Sequence, residues 1–164
     1  VESLFGAKFV IPRLSRYLMC DISGLRALLD AKPSGGWKLI VLDPPWPSMS
    51  VQRSQAYKTL QLKDIVHLPI PKMMAKDCWV MVWVTNDPDL HRLVRHKMLR
   101  KWKCTYHGVW YWIKVTNTME PVLPLAPKNP LARRTYEPII IGRRTTTTPP
   151  PPAAAAPAPA PAPA

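Results

Sequence analysis

Hydrophobic and polar positions fall into blocks whose character alternates along the chain. Leu25 to Leu29 has helical spacing and stops at Pro33-Ser34-Gly35-Gly36, a turn-forming cluster. Trp37 to Leu42 is a nearly continuous apolar run, as a strand buried in a parallel sheet requires. Pro47 to Leu60 is polar and loop-like, and Trp79 to Thr85 is a second buried-strand pattern. Pro88 suits the first turn of a helix running to about Met98, with Leu90, Leu93, Val94 and Met98 at helical spacing. Tyr106 to Val115, rich in aromatic and β-branched residues, reads as a third strand. Ile139-Ile140-Ile141 reads as a fourth, closed by Gly142. Strands alternating with helices predict an α/β fold with a mainly parallel sheet. In such sheets ligands sit at the carboxyl ends of strands, and Asp43-Pro44-Pro45-Trp46 follows the end of the first one.

The final stretch breaks this pattern. From Thr145 to Ala164 the chain is a Thr run, a Pro run, then alternating Ala and Pro. Such a stretch has no core-forming side chains and reads as a disordered, polyproline-like extension. The expected division is therefore a folded part, residues 1–144, and a low-complexity tail, residues 145–164. The folded part carries every charge: 23 Lys and Arg against 10 Asp and Glu, a formal net charge of +13. That excess makes nucleic acid the leading partner, because phosphate contacts supply much of such affinity. The alternative is a basic soluble protein without a polyanion partner.

Other chemistries find little support. Cys20, Cys78 and Cys104 are widely spaced, and no Cys/His cluster suggests a metal site. Three cysteines in a chain of this size suit a reducing compartment. No apolar stretch reaches the length of a membrane span, and no signal peptide is visible. No Gly-rich phosphate loop and no Ser/His/Asp pattern with local context appears. The chain starts at Val1 rather than Met, which suggests a fragment.

Asp43-Pro44-Pro45-Trp46 resembles the motif of methyltransferases that modify the N6 of adenine. Read on its own, it is a proline-ended strand and a turn, with Trp46 packed. Further segments carry the resemblance to one branch of the MT-A-seventy family of RNA and DNA adenine methyltransferases. They are Ser50-Val51-Gln52-Arg53-Ser54, Leu68-Pro69-Ile70-Pro71-Lys72, Trp83-Val84-Thr85-Asn86, Trp112-Ile113-Lys114-Val115-Thr116-Asn117 and Tyr136-Glu137-Pro138-Ile139-Ile140-Ile141-Gly142. Ile11-Pro12-Arg13 and Cys20-Asp21-Ile22 match upstream. The resemblance covers about Phe9 to Arg143.

The resemblance implies a Rossmann-like methyltransferase sheet with flanking helices, S-adenosylmethionine as methyl donor, and adenine in RNA or DNA as acceptor. It implies that Asp43, Pro44, Pro45 and Trp46 grip the adenine, and that Asp21 and Ile22 read the donor's adenine. For Asp21 the alternative is a helix N-terminal cap. Arg133 and Arg134 lie near the family position for the donor's methionine carboxylate, or they touch phosphate. Arg53 and Lys114 are candidates for contact with the nucleic acid. Family members continue past the strand at Gly142 with an Asn-Trp segment that holds the donor's ribose. Here Thr/Pro/Ala repeats follow instead, so the domain is expected to be C-terminally incomplete.

The grip has a physical rationale. An adenine amine is a poor nucleophile because its lone pair is delocalised into the ring. Two acceptors aimed at its two N–H bonds favour a pyramidal nitrogen. The Asp43 carboxylate is one, and the Pro44 carbonyl, stiffened by neighbouring prolines, is the other. Trp46 offers a face for stacking. The helix bearing His91, Arg92, Arg95, His96 and Lys97 either lies on phosphates or presents a solvated face. Trp79, Trp83, Trp110 and Trp112 are expected mostly in the core. The leading function is an adenine N6-methyltransferase, in the nucleus by family resemblance, with the cytoplasm as an additional location. The other reading is a non-catalytic nucleic-acid-binding or scaffold subunit in a heterodimer.

Overall fold

A computed structural model describes residues 2–4, 6–10, 12–47, 59–125 and 134–144. The loop Ser50–Ser54 with Arg53, the residue Arg133, and the tail from Thr145 lie outside the described residues. The chain divides into two compact units, one ending at Lys32 and one beginning at Pro33.

In the first unit, β1 (Glu2–Leu4) pairs antiparallel with β2 (Ala7–Phe9). Gly6, at φ +79°, supplies the left-handed turn residue between them. Further on, Asp21 caps a 3-10 turn at Ile22–Gly24, which leads into α1 (Leu25–Asp30).

The second unit is built on a four-stranded sheet. Its strands are β3 (Trp37–Leu42), β4 (Met74–Trp83), β5 (Cys104–Ile113) and β6 (Tyr136–Arg144), in the order β3-β4-β6-β5. β3 and β4 are parallel, whereas β6 runs antiparallel to both β4 and β5. The sheet is therefore mixed among the described residues, and the expectation of a mainly parallel sheet is corrected. The cause is β6: it enters between β4 and β5 in the reverse direction. β3, β4 and β5 still point the same way, so their carboxyl ends share one rim with the start of β6.

The remaining helices are short. They are α2 (Leu62–Val66), α3 (Ile70–Met73), and α4 (Pro88–Leu93), which continues through a π-helical segment (Val94–Met98) into α5 (Leu99–Lys101). Asp87 caps α4 by accepting the Asp89 N–H, and Pro88 occupies the first turn, where its missing N–H costs nothing. Of the residues at helical spacing, Leu90, Val94 and Met98 are buried and Leu93 is half-buried; Leu99, one residue beyond them, is buried too. Trp102, just past α5, is fully buried and donates its indole N–H to the Val66 carbonyl at 3.2 Å, tying α5 to the end of α2.

The two faces of the sheet differ. Cross-strand partners share a face, so Val80, Val82, Ile140, Gly142 and Cys104 form one side. These residues are buried, and Leu99 lies so close that a Cβ on Gly142 would come within 2.6 Å of it. The opposite side carries Leu39, Val41, Trp79, Met81, Trp83, Trp110 and Trp112. Leu39 and Val41 are each 53% exposed, Trp110 62% and Trp112 54%. Core packing for Trp110 and Trp112 is thus not observed. Both sit on β5, an edge strand, on the face away from the buried side. Trp79 and Trp83 are half-buried, and the fully enclosed tryptophan is Trp102.

Cys78 and Cys104 are buried against this core, and Cys20 is exposed. Burial raises both buried thiols, that of Cys104 to about 12. They therefore remain protonated and unreactive at neutral pH.

Gly35 and Gly36 form the turn into β3, at φ +83° and +90°. A Cβ at Gly36 would meet the Met74 carbonyl carbon and the Ala75 nitrogen at 2.6 Å, while one at Gly35 meets nothing within 4 Å. Gly35→Ala is expected to cost only the left-handed backbone penalty, about 1–2 kcal/mol. Gly36→Ala adds a clash with a backbone that cannot yield, for a total of about 2–4 kcal/mol. Denaturant unfolding of the two variants checks this, and equal losses would contradict the close approach of Gly36 to β4.

Candidate active site

The rim where strand ends gather holds the candidate site. β3 delivers Asp43 and β4 delivers Thr85 and Asn86; β5 delivers Lys114, and Arg134 and Tyr136 enter β6. These residues, with Pro44, Trp46, Trp83, Val84 and Glu137, line a cavity of about 330 Å³. That volume suits a small-molecule or base-sized site.

Local hydrogen bonds fix the turn after β3. The Trp46 N–H donates to the Pro44 carbonyl at 2.8 Å, closing a three-residue turn about Pro45. Proline's restricted φ suits the centre of such a turn. The Pro45 carbonyl accepts the Leu60 N–H at 3.1 Å. Trp46 is buried at 6% exposure, and its indole Nε1–H donates to the Trp83 carbonyl at 2.8 Å. The last residue of β4 thus anchors the turn that follows β3. Pro44 is buried, Pro45 half-buried and Asp43 exposed, and both Asp43 and Pro44 line the cavity. A carbonyl has two lone pairs, so the Pro44 oxygen keeps one beyond the bond to Trp46.

The other strand ends are held as firmly. The Val84 N–H donates to the Pro138 carbonyl at 3.0 Å, and Asn86 Nδ2 to the Tyr136 carbonyl at 3.2 Å. The Lys114 N–H donates to the Thr135 carbonyl at 2.7 Å, and the buried Thr135 hydroxyl returns a bond to the Lys114 carbonyl at 3.0 Å. The Lys114 ammonium pairs with Glu137 and lies 5.6 Å from the Trp112 ring centroid. It faces the cavity as part of an ion pair.

Asp43, Pro44, Trp46, Lys114 and Arg134, all named from the sequence, are therefore brought together at one cavity. Asp21 and Ile22 belong to the first unit. There Asp21 accepts from the Ser23 hydroxyl and N–H, the capping role weighed from the sequence. Those bonds, the hydroxyl's first, hold its carboxyl below the ordinary aspartate value. Sequence reasoning missed Asn86, Tyr136, Thr135 and Glu137. Tyr136 and Glu137 stood in the matched segments, but nothing in their spacing showed that β6 reverses and starts at this rim.

A second cavity, about 750 Å³, lies on another side of Trp46. Leu62, Leu90 and Leu93 line it, with Asp87, Arg92, His96 and Lys97 among its polar walls. Among the described residues no group of three or more His, Cys, Asp or Glu is assembled to hold a metal, and no helix is long and apolar enough to cross a membrane.

The site is thus a strand-end cavity with an acidic residue and a rigid proline turn, on a mixed sheet. The family model MT-A70 matches residues 37–150, and the chain belongs to the MT-A70 family. It is similar to the N(6)-adenine-specific methyltransferase METTL4 of Mus musculus, 36% identical over 141 residues, covering 86% of this chain and 29% of that protein. METTL4 of Homo sapiens is likewise 36% identical, over 143 residues, covering 87% of this chain and 29% of the relative. The N6-methyladenosine RNA methyltransferase MTA1 of Pyricularia oryzae is 32% identical over 152 residues, covering 87% of this chain and 39% of its own length. The branch expected from the sequence, methyltransferase-like protein four, is where the first two fall. The chain spans less than a third of the length of these two relatives, and the family-model match begins at the strand that delivers Asp43.

If the Trp46–Trp83 bond positions the motif, Trp46→Phe removes the indole donor from the part-buried Trp83 carbonyl. The expected loss is about 1–3 kcal/mol in denaturant unfolding. An unchanged midpoint would show that the indole N–H does not anchor the turn.

Proposed function

We propose that this chain contributes the acceptor-binding half of an S-adenosylmethionine-dependent methyltransferase acting on the N6 of adenine in RNA or DNA. The observation that supports it is the Asp43–Trp46 turn, pinned to β4 and opening onto the rim cavity, in a chain of the MT-A70 family. The Asp43 carboxylate and the second lone pair of the Pro44 carbonyl are two acceptors within one turn. They match the two N–H bonds of an exocyclic amine, and a pyramidal amine exposes its lone pair. Trp46 acts chiefly by holding this pair in place, since its ring is buried apart from what lines the cavities.

The donor set on the rim suits a zwitterionic, sulfonium-bearing cofactor: an exposed carboxylate at Asp43 and a guanidinium at Arg134, the latter suited to a methionine carboxylate. For Asp21 and Ile22, in the first unit, a role at the donor's adenine is proposed on the family resemblance alone. When bound, S-adenosylmethionine supplies a methyl group whose bonding pair stays on sulfur as the N6–carbon bond forms. The residues of this chain orient the amine, and the surplus amine proton leaves to water at the exposed Asp43. Rate enhancement then comes from positioning and electrostatics. Single-stranded adenine is the favoured acceptor, because a paired base must first be flipped out. A nuclear setting and a partner subunit belong to the same proposal.

The test is incorporation of labelled methyl from the donor into RNA and DNA oligonucleotides. Asp43→Ala is expected to lower incorporation about 100-fold or more, and Asp43→Asn less, because one acceptor oxygen remains. Equal incorporation by the wild type and Asp43→Ala, or none by a full-length version, contradicts the proposal.

A further inference from the structure

A cavity of about 370 Å³ opens on the helix-covered side of the sheet. His91, Arg92, Arg95, Tyr111, Arg134 and Tyr136 line it. Asn86, Arg134 and Tyr136 line the rim cavity as well, so the two spaces share three walls. Helical spacing accounts for Leu90 and Val94 facing the core, but it does not require Arg92 and Arg95 to converge with two tyrosines from different strands.

Three details set this space apart from an ordinary solvated helix face. The first is aromatic: Tyr111 is 57% exposed and meets Tyr136 edge-on, with ring centroids 5.4 Å apart and planes at 88°. An edge-on contact covers at most one face of the Tyr111 ring, so at least one stays clear of Tyr136. The second is the density of cationic groups, with three arginines and a histidine in the wall and no carboxylate among the lining residues. Arg92 does pair with Asp89 on its own helix, but that pair is largely exposed, and such pairs hold their partners weakly. The third is Arg95. Its guanidinium sits 4.3 Å from the Tyr106 ring centroid, and its Nε is buried without a hydrogen-bond partner among the described residues. Its charge adds to the cation density of the wall.

Cationic side chains beside exposed aromatic faces are what single-stranded nucleic acid binds: phosphate to the cations, base to the ring. We infer that this cavity holds the nucleotide next to the target adenine, its phosphate on Arg92 and Arg95 and its base stacked on Tyr111. The inference rests on the methyltransferase reading for the identity of the neighbouring base. It does not rest on it for the binding itself. Stacking is tolerant of sequence, so the site gives affinity and strand orientation rather than base selection.

The test uses the 164-residue chain and fluorescent single-stranded nonamers of RNA and of DNA, each with one central adenine or with cytosine in its place. Binding is read by anisotropy across a salt series. Tyr111→Ala is expected to weaken all of the nonamers about tenfold or more, and Tyr111→Phe to restore the affinity. Arg92→Gln is expected to lower the salt slope by about one. Lys76→Gln, the same charge change at the far end of β4, should leave affinity within twofold. Whichever polymer binds more tightly identifies the strand the cavity accommodates. Loss on Tyr111→Ala, with no methyl transfer to any nonamer by a full-length version, overturns only the reaction. Methyl transfer with binding indifferent to Tyr111→Ala and Arg92→Gln overturns the second cavity. So does tighter capture of a poly-glutamate peptide than of either polymer, or no oligonucleotide binding at all.

Discussion

One hydrogen bond governs the geometry of the candidate site: the indole N–H of Trp46 to the carbonyl of Trp83. It joins the turn after β3 to the last residue of β4. Without it, the turn after Asp43 would lose its side-chain tie to β4 and keep only the Leu60 N–H to the Pro45 carbonyl as an outside hold. With it, and with the bond that closes Pro44 to Trp46, the carboxylate and the Pro44 carbonyl are fixed relative to one another. Preorganisation of this kind is what a reaction with little covalent chemistry for the protein to perform depends on.

The reversed strand β6 is the second constraint. Because it runs against its neighbours, its first residues arrive at the rim where β3, β4 and β5 end. Arg134, Thr135 and Tyr136 thereby reach Asn86 and Lys114, and Thr135 closes the joint through its buried hydroxyl. The same insertion sets Tyr136 against Tyr111. One topological choice thus gathers the polar residues of the rim cavity and builds a wall of the basic cavity next to it.

Much of this was legible in the chain itself. β3 lies where the apolar run Trp37 to Leu42 predicts it, and α1 and α4 start where spacing and proline indicate. The position of Asp43 at a strand end followed from the same run. β4 begins five residues earlier than its apolar pattern, because Ala75-Lys76-Asp77 is polar and only pairing with Trp37 and its neighbours reveals a strand. The short helices α2 and α3 carry too few residues for a periodic signal. Strand direction is a tertiary property: Ile139-Ile140-Ile141 looks the same run forwards or backwards, so the mixed sheet could not be read from it. The same holds for Trp110 and Trp112, whose hydrophobicity suggests a core that their edge-strand face does not provide.

The central claim is that Asp43 grips the exocyclic amine of adenine. The measurement that addresses it without turnover is a binding cycle. It compares the wild-type chain with Asp43→Ala, and a single-stranded oligonucleotide bearing adenine with one bearing unsubstituted purine, which lacks the amine. The account predicts coupling: losing the amine weakens wild-type binding about tenfold, and Asp43→Ala weakens the adenine strand but not the purine strand. Additive effects, with Asp43→Ala weakening both strands equally, would contradict it.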